Sequence, residues 1–163
     1  MDKIIVLDFG GQYKQLIARR VRELGVYCEI HPYTRSLEEL LGMEPKGIIL
    51  TGGPASVFLP ETPTYEKALF ETGIPILGIC YGAQLMAYRC GGEVKTAPTS
   101  EYGHAELLVD GMAENSLLLR EVEKKSTTWM SHTDYIAAAP AGFAVTAHTA
   151  DCPVAAMESF PFR

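Results

Sequence analysis

Several large protein classes are excluded by what this chain has little of. Its 163 residues include four cysteines, Cys28, Cys80, Cys90 and Cys152, widely spaced and with no Cys-x-x-Cys pair. That spacing does not make a disulfide framework and fits a reduced, cytoplasmic protein. Long apolar runs are missing, and none approaches the ~20 residues of a membrane-spanning helix. The N-terminus passes from Met1-Asp2-Lys3 directly into an apolar strand, without the features of a signal peptide. Basic charge is also short: Lys and Arg total 14 against 20 Asp and Glu, a formal net charge of -6. A nucleic-acid partner is therefore not expected, nor is a membrane. Small anionic ligands stay open, because loops and helix ends bind them locally. No internal repeat and no linker-like stretch divides the chain.

What is present reads as one globular domain over residues 1–163. Hydrophobic residues make up 47% and charged residues 21%, and a domain of this size buries roughly 70% of its unfolded surface without a metal or disulfide staple. Residues 4–7, 26–30, 47–51 and 74–79 are apolar runs with strand character. Between them, Tyr13, Leu16, Ile17, Val21 and Leu24 recur at helical spacing, with Gly25 placed as a left-handed cap. Ser36 is placed to cap a short helix through Leu41, and helices are expected at about 65–72 and 83–89. Strands separated by helical crossovers predict an α/β fold: a three-layer, flavodoxin-like, mostly parallel sheet with helices on both faces. From Gly92 onward the pattern changes to shorter strands at 105–109, 143–147 and 154–157, with another ending at 129–132. That half is expected to form a smaller mixed or antiparallel extension.

The sharpest chemical feature is Gly78-Ile79-Cys80-Tyr81-Gly82, where a buried strand meets a helix. It is the Gly-x-Ser-x-Gly nucleophile elbow with sulfur in place of oxygen. Its glycines allow a tight turn, and the helix N-terminus is expected to lower the thiol's pKa. The plainer alternative is a small core cysteine. At average glycine usage, one of four cysteines falls between two such glycines in about one chain in 50. Gly52-Gly53-Pro54 follows a neighbouring strand and either makes only a turn or brings backbone donors to the same crevice. The amides of Gly53 and Tyr81 are then the natural pair for an oxyanion.

The motifs Asp8-Phe9-Gly10-Gly11-Gln12-Tyr13, Thr51-Gly52-Gly53-Pro54-Ala55-Ser56-Val57, the Cys80 elbow with Ala83-Gln84-Leu85-Met86, and Trp129-Met130-Ser131-His132 occur in order. Together they resemble the class I glutamine amidotransferases, nearest to the GMP-synthase branch. Ser100-Glu101-Tyr102-Gly103 and Ala150-Asp151-Cys152-Pro153 extend the resemblance over essentially the whole chain. It implies hydrolysis of L-glutamine to glutamate and ammonia through a thioester on Cys80, with Gly53 and Tyr81 as oxyanion amides. Gly52, Gln84, Ser131, His132, Thr133 and Asp134 would contact the substrate. The ammonia would pass to an ATP-dependent synthetase domain or subunit that converts XMP to GMP. No cofactor or metal is implied in this domain, while ATP and Mg belong to that partner.

Two departures stand beside the resemblance. Thr133 replaces the family glycine after Ser131-His132, where a side chain would crowd glutamine or strain a turn of positive φ. The family's general base lies in a C-terminal His-Pro-Glu motif, and none of His31, His104, His132 or His148 is followed by Pro-Glu. The domain is therefore expected to lack that segment. His132 is a poor substitute, because adjacent residues of a strand face opposite sides. A catalytically impaired, glutamine-binding regulatory module is the alternative reading. A different elbow-cysteine hydrolase or a flavodoxin-like ligand binder is the third.

Overall fold

The structure, a computed structural model, describes residues 2–111 and 116–159, with backbone only at 99–101. The described residues form two compact units that divide between Arg89 and Cys90.

In the first unit, β1 (Lys3–Asp8), β2 (Tyr27–Pro32), β3 (Gly47–Leu50) and β4 (Ile76–Gly78) form a parallel sheet in the order β2-β1-β3-β4. Ile5, Val6 and Leu7 of β1 are fully buried, as a central strand covered on both faces requires. The chain steps from β1 to β2 in one direction and from β2 past β1 to β3 in the other. Right-handed crossovers therefore place α1 (Lys14–Glu23) and α2 (Leu37–Gly42) on opposite faces. This order reverses between β1 and β3, the switch point where such sheets collect ligands beyond their carboxyl ends.

Local chemistry sets the helix limits. α1 ends where Gly25 takes φ +77. The Arg19 and Arg20 guanidiniums pair with Glu23, and Arg22 donates to the Cys28 carbonyl, so this basic cluster serves its own helix and the next strand. α2 opens with a complete capping box, Ser36 accepting from the Glu39 amide and Glu39 reaching back to Ser36. The helix expected at 65–72 is instead a five-residue 3-10 turn, Lys67–Glu71. The buried Tyr65 ring, donating from its hydroxyl to the Arg35 carbonyl 2.8 Å away, anchors the approach in extended form. Gly73, at φ +77, ends what remains, too short a stretch for an α-helix.

Among the described residues, the strands of the second unit form a sheet of their own. β5 (Glu93–Val109), β6 (Lys125–Ala138), β7 (Ala144–His148) and β8 (Ala156–Glu158) make an antiparallel sheet in the order β6-β5-β7-β8. The strand expected to end at 129–132 runs on to Ala138, because β5 pairs with it almost throughout. A register shift between Thr96 and Glu101 inserts extra residues in β5, including Pro98, which has no N–H to give the ladder. The side chains of Ser100 and Glu101 lie outside the described residues.

Candidate active site

Three turns beyond the carboxyl ends of β1, β3 and β4 build the site, and their glycines are explained by contact. A Cβ on Gly11 would lie 2.4 Å from the Gly52 carbonyl oxygen, and one on Gly53 would lie 2.6 Å from the Phe9 carbonyl oxygen. The turns after β1 and β3 therefore interlock backbone to backbone. After β4, a Cβ on Gly78 would meet the Ala83 nitrogen at 2.6 Å. One on Gly82 would meet the Leu50 oxygen at 2.4 Å. These are the two glycines that frame Cys80, and only their bareness lets α3 (Tyr81–Arg89) start so close to the sheet.

Cys80 has φ +51, in the left-handed region that an L side chain enters at a cost of about 1–3 kcal/mol. Its carbonyl accepts from the Gln84 amide at 3.0 Å, so the helix begins at Tyr81, two residues before the expected start. The residue is exposed. The protein around the sulfur still removes water, and burial pushes the thiol's pKa above its ordinary value. This corrects the expected lowering by the helix N-terminus, because no charged group among the described residues offsets the desolvation. Cys28 and Cys152 are buried and Cys90 is half-buried. The Cys152 thiol donates to the Val154 carbonyl at 3.4 Å.

The first unit brings Gly52, Gly53, Cys80, Tyr81 and Gln84 together. A Cβ on Gly52 would stand 3.5 Å from that of Cys80. Gln84 lies in the first turn of α3, its amide bonded to the Cys80 carbonyl. The Tyr81 amide occupies the first position of α3, where no intrahelical acceptor exists. His31, the histidine of this unit, lies on β2 with Nε2 2.9 Å from a Glu29 oxygen.

Ser131, His132, Thr133 and Asp134 lie in the second unit, in the middle of β6. Ser131 and Thr133 are exposed, while His132 is half-buried and Asp134 buried, the alternation that forbids a collapsed triad. Asp134 accepts from the Thr96 hydroxyl at 2.8 Å, and the Thr133 and Tyr102 hydroxyls are 3.0 Å apart. Thr133 is not among the described residues with positive φ, so threonine sits in extended backbone without the strain expected of a tight turn. His148 Nδ1 lies 2.9 Å from an Asp110 oxygen. No group of three or more His, Cys, Asp or Glu suited to a metal ion occurs among the described residues.

One residue without an assigned role in the sequence proves central. Thr51 is buried, its hydroxyl accepts from the Phe9 amide at 3.0 Å and donates to the Gly52 carbonyl at 2.9 Å, and its carbonyl accepts from the Gly82 amide at 3.0 Å. It thus ties all three turns together. The only signal in the chain is a polar residue closing an apolar strand. Thr51→Val keeps the shape and strands two backbone groups, so a loss of about 1–3 kcal/mol is expected, measurable by urea denaturation.

Fold and site together define an α/β protein with a cysteine elbow at its sheet edge. The family model for class-I glutamine amidotransferases matches residues 5–160, and the chain belongs to that family. It is 58% identical over 158 residues to a GMP synthase [glutamine-hydrolyzing] of Clostridium perfringens, covering 97% of this chain and 30% of that protein. The GMP synthase of Alkaliphilus metalliredigens matches at the same identity and coverage. This chain therefore spans about 30% of the length of these curated relatives. The crystal structure of a GMP synthase subunit from Thermoplasma acidophilum superposes with a TM-score of 0.84 at 32% identity, covering 98% of this chain and 79% of that one. A glutamine amidotransferase of Thermotoga maritima, at 20% identity and TM-score 0.76, shares the fold.

Proposed function

We propose that this chain is the glutamine-hydrolysing part of a GMP-forming enzyme of the cytoplasm. The observation that carries the reading is Cys80 at positive φ on a strand-to-helix elbow, within van der Waals reach of the Gly52-Gly53 turn. In this reading the Cys80 sulfur attacks the side-chain carbonyl carbon of glutamine, and the Gly53 and Tyr81 amides hold the resulting oxyanion. The C–N bond breaks, ammonia leaves with the transferred proton, and water then cleaves the thioester to glutamate and the free thiol. Within the first unit, Gln84 holds the rest of the substrate. No His-Pro-Glu wording occurs among the four histidines. The proton acceptor is accordingly not a His-Pro-Glu histidine among these four, and the curated relatives are over three times as long as this chain. The ammonia goes to a synthetase part that uses ATP and Mg to convert XMP to GMP. No helix among the described residues is long and apolar enough to cross a membrane.

The test is covalent labelling with 6-diazo-5-oxo-L-norleucine, a glutamine-shaped electrophile. One adduct is expected on Cys80, slowed by added L-glutamine and absent in Cys80→Ser, with Cys28, Cys90 and Cys152 unmodified. Labelling that glutamine does not slow, or that survives Cys80→Ser, would remove the reading.

A further inference from the structure

The geometry points to the Tyr81 side chain as a positioning residue that holds its own backbone amide, the oxyanion donor, in place. The inference rests on the reading of Cys80 and Tyr81 just given. Tyr81 directly follows a residue at φ +51. Relief of that strain by rotation about the Cys80 N–Cα bond would turn Tyr81 and the start of α3, and swing the Tyr81 N–H out of the crevice. Helix hydrogen bonding holds this junction only through the Cys80 carbonyl, which accepts from the Gln84 amide, since the Tyr81 N–H makes no intrahelical bond.

The ring supplies the restraint. Tyr81 is among the largest fully enclosed side chains of the first unit, with 2% of its surface exposed. Its centroid lies 5.7 Å from that of Phe9 at 41°, and Phe9 in turn stacks 5.7 Å from Tyr33 at 20°. The Phe9 backbone is already fixed by the Thr51 hydroxyl, so the ring rests on an anchored neighbour. At its far end the Tyr81 hydroxyl donates to the Pro63 carbonyl and also meets the Thr62 side chain. One residue on, Arg89 at the other end of α3 donates to the Thr64 hydroxyl at 2.6 Å. The irregular segment 57–64 is therefore pinned at consecutive residues from both ends of α3. Rotation about the Cys80 N–Cα bond carries the Tyr81 Cα with it and would have to drag the phenol off both its polar contacts. A purely structural tyrosine needs only one acceptor anywhere. This one spans from the amide beside the nucleophile to the loop facing it.

The experiment uses the aldehyde analogue of glutamine, L-glutamate γ-semialdehyde. This compound exists in equilibrium with its cyclic imine, so affinities are compared between variants at the same total concentration. The Cys80 sulfur adds to the aldehyde carbon and the thiol proton ends on the former carbonyl oxygen. The resulting hemithioacetal places that oxygen at the oxyanion donors and needs no turnover. Alkylation of Cys80 by iodoacetamide serves as the comparison, since it reads thiol access and ionisation and makes no oxyanion. Tyr81→Phe keeps the packed ring and is expected to weaken aldehyde binding about 10-fold, below the 10²–10³ of deleting a donor outright. Iodoacetamide alkylation should stay within about twofold. Thr62→Val, which removes the second polar neighbour and leaves Tyr81 intact, should shift binding in the same direction by about threefold and stands as the test if Tyr81→Phe does not fold. Unchanged aldehyde affinity in the folded variants, or an equal loss of alkylation, would overturn the inference. Failure of the unsubstituted chain to bind the aldehyde would instead count against the glutaminase reading itself.

Discussion

Replacing Gly82 by alanine is expected to destabilise the protein by about 3 kcal/mol and to abolish labelling of Cys80 by the glutamine-shaped diazo ketone. The added Cβ would lie 2.4 Å from the Leu50 oxygen, 2.6 Å from the Leu50 Cβ and 2.8 Å from the Leu50 carbonyl carbon. These atoms belong to buried β3 and cannot swing aside as the end of a flexible side chain would. Relief requires α3 to retreat from the sheet, which stretches the bond from the Gly82 amide to the Thr51 carbonyl. Because Tyr81 and Cys80 immediately precede, the elbow moves with it. For a chain of this size, 3 kcal/mol corresponds to a fall in Tm of about 6–12 °C by calorimetry. Gly42→Ala is the control, since a Cβ there meets nothing within 4 Å. It sits at the end of α2 without positive φ, so it should leave Tm unchanged or raise it slightly. A Gly82→Ala protein with wild-type Tm and labelling would show that the close approach of α3 to β3 is not what the elbow depends on.

The second large effect separates stability from chemistry at a single residue. Cys80→Gly and Cys80→Ala should both lose labelling by at least about 10³-fold, as removal of a nucleophile does elsewhere. Their stabilities should differ. Alanine keeps a Cβ at φ +51, whereas glycine accepts that conformation and is also tolerated at a helix N-cap. Cys80→Gly is expected to be the more stable by about 1 kcal/mol, or roughly 2–4 °C in Tm. Equal stability of the two variants would mean that the positive φ stores no strain.

The parts of this site that were legible in the chain are those written in short, local patterns. The apolar runs marked all four parallel strands, and Ser36 marked the start of its short helix. The glycines around Cys80 announced a turn with no room for side chains, and their close contacts with Ala83 and Leu50 supply the reason. The elements that came out differently are those governed by distant partners. The 65–72 helix gave way to a 3-10 turn because Tyr65 is tied to Arg35, thirty residues earlier in the chain. β6 outran its expected end because β5 offered it a continuous ladder. The thiol's pKa moved up rather than down because desolvation depends on everything that surrounds the sulfur, which no five-residue motif records.

By itself, the amino-acid sequence determined the α/β class of the first half, the cysteine elbow and the ordered motifs of a class I glutamine amidotransferase. Those properties follow from periodicity, from glycine's missing Cβ and from spacing along a few residues. Only the tertiary structure decided that the second half is an antiparallel sheet of its own and that Thr133 sits in unstrained extended backbone. It alone revealed Thr51 as the knot joining three turns and Tyr81 as a brace reaching Pro63. The physical reason is range. The Thr51 and Phe9 positions are 42 residues apart, and a hydrogen bond across that distance exists only once parallel strands have brought the turns to one edge of the sheet.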